Sequence, residues 1–150
     1  MSRNPTAGTL EAPAFAARLR NGQGLRIGPF DFRLTIRVPE VARCLHSLYR
    51  DYLLLDDERV FHAHVSLDEV RPRWPGSVRH VRFRVDGRAP HADRPAAHAF
   101  AVLEWGLNLV IALRFHGWLM LHAAVLERDG CALVMPAMPG HGKTTLCAAL

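Results

Sequence analysis

Near the end of the chain, Gly140-His141-Gly142-Lys143-Thr144-Thr145 brings together the residue types that bind phosphate. Lys143 is the only lysine, and the other eighteen basic residues are arginines. The chain has therefore put its one compact, mobile ammonium directly after a glycine and before a hydroxyl. A polyphosphate presents several anionic oxygens. A loop running from a strand into a helix can meet them with backbone N–H groups, and glycine lets that backbone come close. In such a loop Lys143 reaches the outer phosphates and Thr144 offers its hydroxyl to Mg²⁺, while the helix opening near Lys143 adds the positive end of its dipole. The candidate nucleotide-binding segment is Ala137, Met138, Pro139, Gly140, His141, Gly142, Lys143, Thr144 and Thr145. Its expected ligands are ATP and Mg²⁺, with Thr144 on the metal.

The segment departs from the pattern G-x-x-x-x-G-K-[ST] at its first position, Ala137, which is costly if that residue must adopt positive φ and harmless otherwise. Pro139 removes one N–H from the cradle and fixes a backbone angle. The plain alternative is a strand-to-helix turn that needs glycine only to turn. Context favours the phosphate loop: CALVMP before it reads as a buried strand and TTLCAAL after it as an apolar helix. Further upstream, LMLHAAVLERDGCALVMP is two apolar runs joined through Asp129-Gly130, a dipeptide typical of a tight hairpin.

The segment Glu104 to Leu150 thus carries a histidine-bearing strand, a hairpin and a small-residue loop ending G-K-T-T-L. In this it resembles the HPr kinase/phosphorylase family, and within it the bacterial group called HPr-kinase-related kinase A. The resemblance covers about a third of the chain. It implies an ATP-dependent transfer of the γ-phosphate to a hydroxyl, with a protein phosphoacceptor, and is compatible with a homo-oligomer. It also implies catalytic roles for Lys143 and for His122, which stands where the family carries a histidine that approaches the phosphates. Read without the resemblance, His122 is a buried histidine with one satisfied hydrogen bond. The family favours Gly and Ser where this chain has Ala137 and Pro139, so the resemblance leaves the phosphorolysis activity of that family open for this chain.

In that family the acidic residues that hold the metal and orient the acceptor follow the loop, and here only Leu146, Cys147, Ala148, Ala149 and Leu150 follow Thr145. The expectation is the N-terminal part of a longer kinase, inactive by itself. Two other classes share the loop: a transporter-type or other P-loop ATPase, and a nonenzymatic nucleotide-sensing or partner-binding module.

The elements that must position this loop give an α/β fold class: a loosely ordered stretch 1–24, a mixed α+β module 25–95, and the opening hairpin, phosphate loop and first helix of a kinase-like domain over 96–150. A short helix is predicted from Pro13 to Arg20, stopped by Gly22. Leu25 to Val38 alternates as a strand or hairpin. Pro39 suits a first helical turn, after which Val41, Cys44, Leu45, Leu48, Tyr52 and Leu55 recur at helical spacing, with Arg43, His46 and Arg50 opposite. Val60–Leu67 and Val78–Val85 read as strands about a turn at Pro72 and Pro75. A linker from Gly87 to Pro95 leads into an apolar helix, Ala96–Phe115.

Composition sets wide bounds. With 150 residues and 49% hydrophobic content the chain can bury a core. Cys44, Cys131 and Cys147 are far apart, two of them in elements expected to be buried, which fits a reducing cytoplasm. Met1 to Gly24 has no apolar core of a signal peptide. Glu104, Asn108, Arg114, His116 and His122 interrupt the apolar stretch Ala99–Leu126, arguing for buried helix and strand and against a membrane span. Arg71, Arg73, Arg79, Arg82, Arg84, Arg88 and Arg94 with a formal charge of +5 admit nucleic acid or an acidic partner. No nucleic-acid motif accompanies them, so a solvated strand face is preferred. His62 and His64 share a strand face without a third metal ligand. Trp105 and Trp118 read as core anchors.

Overall fold

The computed structural model describes residues 5–70, 74, 76–138 and 140–150. Arg71, Pro72, Arg73, Pro75 and Pro139, which the sequence places in a turn, a basic cluster and the loop, lie outside them. The described chain is mixed α/β, as the sequence predicts, and divides between Ile111 and Ala112 into two compact units.

In the first unit helix α1, Ala12–Asn21, buries Phe15 and Leu19, one turn apart, and ends at Gly22 with φ +97°, a conformation glycine adopts without cost. Strands β1, Gln23–Ile27, and β2, Phe30–Ile36, form a hairpin through Gly28-Pro29. Gly28 is at φ +58° while proline holds φ near −65°, the combination of a type II′ turn. Helix α2, Pro39–Leu48, opens on its proline and buries Val41, Ala42 and Leu45. Strands β3, Leu54–Leu55, β4, Ala63–Val70, β5, His80–Val85, and β6, Arg94–Pro95, complete a sheet of order β3-β1-β2-β4-β5-β6, in which only the β2–β4 pairing is parallel. Phe32, Leu34 and Ile36, Val65 and Leu67, and Val81 and Phe83 point to one face and are buried. The other face carries arginine, serine, threonine and aspartate.

Helix α3, Ala99–Arg114, follows a 3-10 turn at Ala96–His98. Ala99, Val102, Leu103, Gly106, Leu107 and Val110 form its buried stripe. Ala96–Arg114 is long and apolar enough to cross a membrane by length and composition, but this stripe belongs to the core of the first unit. Gly106 lies against the Phe83 ring so closely that a Cβ there would stand 2.2 Å from Cζ. Tyr49, at the end of α2, donates its hydroxyl hydrogen to Glu104 Oε1 at 2.5 Å. Burial first, and then that bond, push the Tyr49 phenol above its ordinary pKa.

Several expectations need correction. Residues 5–24 are not loose: a 3-10 turn, α1 and the start of β1 occupy them, because Phe15 and Leu19 have a sheet to pack on. The helical spacing carried to Tyr52 and Leu55 breaks at Tyr49, where ψ is +21°, and Leu54–Leu55 pair with β1 instead. Cys44 and Leu48 are exposed. The strand expected from Val60 starts at Ala63, the first residue in ladder register with β2, opposite Phe32. The contact boundary falls inside α3 and not at 95/96, since that helix supplies core to the first unit. Trp105 and Trp118, 66% and 61% exposed, are not core anchors.

The second unit holds strands β7, Ala123–Arg128, and β8, Cys131–Pro136, paired antiparallel, and helix α4, Lys143–Ala149, which lies against β7. The strand expected to be buried, β8, is largely exposed, with Leu133 at 52%, because only β7 pairs with it among the described residues. Cys131 is exposed and Cys147 half-buried, so neither is the buried thiol foreseen.

Candidate functional site

The loop from β8 to α4 is set up by local geometry. Asp129 and Gly130 turn the hairpin at φ +53° and +76°, as a type I′ turn requires, and the Glu127 carboxylate accepts the Gly130 N–H at 2.8 Å. The turn fixes the register, so that Ala123 pairs with Pro136 at the far end. His122 precedes Ala123 directly and Ala137 follows Pro136 directly, which brings His122 to the end of the hairpin from which the loop departs. His122 is exposed, so the buried alternative does not hold.

Within the loop Gly140 and Gly142 take φ +83° and +75°, the left-handed region, and a Cβ at either would meet nothing within 4 Å. Glycine is needed there for the backbone angle, and both flanks are open to an approaching group. Ala137 is not among the non-glycine residues at positive φ, so its departure from the motif costs no strain. The His141 N–H reaches the Met138 carbonyl at 3.4 Å, and the Leu146 N–H donates to Gly142 O at 2.9 Å to start α4. The first-turn N–H groups of a helix have no partner within the helix, so those of α4 face the loop side.

Lys143 folds back over this loop. Its Nζ donates to the carbonyl oxygens of Ala137 at 2.7 Å and Met138 at 3.1 Å, closing the segment into a ring with the ammonium at its centre. Thr144 and Thr145 are exposed. The donors thus fit a phosphate group: a lysine, two left-handed glycines and a helix opening. They fit a metal only in part. Thr144 supplies one hydroxyl, while Mg²⁺ is commonly held by one or two carboxylates besides phosphate oxygens. Glu127 and Asp129 sit at the opposite end of the hairpin, roughly 17 Å away at strand rise. No cluster of three or more His, Cys, Asp or Glu that could hold a metal occurs among the described residues.

The other candidate residues fall in the first unit. His62 Nδ1 accepts the Asp31 N–H at 2.9 Å, and the His64 ring meets Phe61 edge-on, so each has a structural contact. Asp31 holds Arg26 through two bonds of 2.7 and 2.9 Å and Arg59 at 3.3 Å. The bond from Arg26 keeps the Asp31 carboxyl below its ordinary range, against the effect of burial. Arg82 grips Asp93 through two bonds of 2.6 Å, which likewise lowers the Asp93 pKa. Asp68 is shared by Arg37 at 2.6 Å and Arg84 at 2.8 Å. Sequence alternation placed Arg82 and Arg84 on one face but not these partners. The run His64-Val65-Ser66-Leu67-Asp68 carried the signal, since alternation puts Ser66 and Asp68 together, but which strand they would face depends on register. Two surface cavities of about 410 and 270 Å³ also belong to the first unit, the larger flanked by Glu40 and Glu69 with Arg79 joined to both at 3.5 and 3.1 Å.

Compared with known protein families, curated proteins and solved structures, the chain matches none of them.

Proposed function

We propose that the chain binds ATP through the loop Ala137–Thr145 and is the nucleotide-binding part of an HPr-kinase-like phosphotransferase whose acceptor is a protein hydroxyl, working in the cytoplasm. The observation that carries this reading is the sole lysine, at the opening of α4, bent over the loop onto the Ala137 and Met138 carbonyls. A bound polyphosphate would exchange those two neutral acceptors for anionic oxygens, and charge-assisted bonds are about twice as strong. The helix opening and the N–H groups around Gly140 and Gly142 would take further oxygens, and Thr144 would face the metal. His122, at the same end of the hairpin, would act on the transferring group and not on binding.

A second reading has its own support. It is a nucleotide-sensing module that does not turn over, and what supports it is that among the described residues of the second unit no carboxylate side chain lies at the loop end of the hairpin.

Calorimetry of ATP binding with and without Mg²⁺ tests the proposal. Lys143→Ala is expected to abolish binding and Lys143→Arg to weaken it, since a planar fork replaces a point charge. Equal ATP affinity in the parent and both variants would refute it.

A further inference from the structure

A polar cavity of about 270 Å³ opens where α1 ends and β1 begins, with Arg18, Gly22, Gln23, Asp56 and Asp57 in its wall. The Gln23 side chain is held in that wall, the residue being only 7% exposed. Its Nε2 donates to the backbone oxygens of Gly24 at 2.9 Å and of Leu55 at 3.1 Å. Two carbonyl partners require the amide nitrogen on their side, so the amide oxygen is turned away from them. Oε1 has no hydrogen-bond partner among the described residues. No enclosed polar side-chain atom among those residues lacks a partner, so Oε1 is reached from outside, through the cavity that Gln23 lines. The charges around it are uncommitted as well. Arg18 and Asp56 are exposed, face the same cavity, and make no ion pair or side-chain hydrogen bond among the described residues. Asp57, by contrast, is held by Arg33 at 3.1 Å, and that guanidinium lies over the Phe61 ring.

We infer that this cavity binds a small zwitterion of the free α-amino acid kind, its ammonium toward Gln23 Oε1 and Asp56 and its carboxylate toward Arg18. The acceptors select the ammonium: one group with three donors and a positive charge satisfies an amide oxygen and a carboxylate together. The end of α1 adds the negative end of its dipole, which favours a cation. Arg18 offers a planar fork that matches a carboxylate. Because Arg18 and Asp56 do not meet across the cavity, a molecule carrying both charges can serve both, where a singly charged one serves only one. Size agrees, since drug-sized ligands fill about 300–1,000 Å³ and this smaller space suits a smaller molecule. A metal ion is the less suited cation: Asp56 is the one carboxylate of the wall without a partner, and no cluster of three or more metal-binding side chains occurs among the described residues. The inference is independent of the phosphate loop, which lies in the other unit.

Proton–nitrogen correlation NMR spectra of the full chain, titrated with L-alanine and without nucleotide, test it. The signals of the Gln23 side-chain amide and the Gly22 N–H should shift saturably while those of the Ala137–Thr145 loop stay in place. Ethylamine and propionate each carry one of the two charges and should bind about tenfold more weakly or worse. Asp56→Asn and Arg18→Gln alter exposed side chains with no bond to lose, so the rest of the spectrum should overlay that of the parent and show the fold intact. Each variant should weaken L-alanine by about fivefold or more. Asp56→Asn should not weaken propionate, and Arg18→Gln should not weaken ethylamine. The inference is overturned by the absence of a saturable shift, by equal affinity for L-alanine and either singly charged compound, by unchanged L-alanine affinity in either variant, or by tighter binding of Mg²⁺ than of L-alanine at the same signals.

Discussion

Replacing Gly106 by alanine sets two effects against each other. Alanine in a helix interior is favoured over glycine by about 1 kcal/mol, so propensity alone predicts a more stable protein. The structure predicts the reverse. The added Cβ would lie 2.2, 2.3 and 2.6 Å from three atoms of the Phe83 ring. Carbon atoms settle at about 3.5 Å or more, so ring and helix must part by roughly 1.3 Å. Phe83 is 1% exposed and its ring lies stacked along His91 at 5.7 Å, so it is already held on another side. Overpacking a core costs about 1–3 kcal/mol, and a rigid ring against a helix backbone belongs at the upper end. The balance is a loss of about 2 kcal/mol, or roughly 10 °C in Tm for a unit near 100 residues. Urea unfolding of the full chain, followed by circular dichroism, measures it. The same substitution made together with Phe83→Leu should cost much less, giving a coupling energy between the two sites. A Gly106→Ala protein as stable as the parent, or more so, would refute the close approach of α3 to β5.

Acid should weaken the protein through Asp31 and Asp93. Their folded pKa values are lowered, so the unfolded state binds more protons and stability is lost as pH falls from about 4 through the folded values; urea midpoints from pH 6 to 2 should decline, and less steeply in Asp31→Asn. Tyr49→Phe removes the hydroxyl bond to Glu104 and should cost about 1–2 kcal/mol, read from the same unfolding curves. His122→Ala, made in a protein with measurable phosphoryl transfer, should lower the transfer rate far more than ATP affinity; lost thermal stability with normal turnover per folded molecule would make the residue structural.

The parts of the fold visible in sequence are those decided within a few residues. Gly22 ends α1, Asp129-Gly130 turns the second hairpin, and the strand, loop and helix around Lys143 lie where spacing puts them. His122 falls at the loop end because the turn fixes register. What stayed hidden depends on partners distant in sequence. The run Tyr52-Leu53-Leu54-Leu55 satisfies a helical period and a strand equally, and only β1 decides between them. The helix α3 is apolar nearly all round, so its sequence does not tell which stripe is buried, and Trp105 went to the wrong side. Gly106 carried no mark of its role, which lies in Phe83 on another element. The arginines of β5 likewise gave no hint of Asp68 or Asp93, because cross-strand register is a tertiary fact.

The parallel pairing of β2 with β4 has a bearing on how fast the molecule assembles. Phe32 and Ala63 lie about thirty residues apart, so α2 and β3 must be looped out before the first of these contacts can reward the closure. The β7–β8 ribbon needs only its two-residue turn, and hairpins of that kind close in roughly 1–10 μs. During refolding the ribbon should therefore form before the six-stranded sheet, with its strand edges unpaired while the slower sheet is still closing. Its apolar side chains, Val125, Leu133 and Val134 among them, would then be open to other chains. Dilute, rapid removal of denaturant should accordingly recover more native protein than slow dialysis of a concentrated sample.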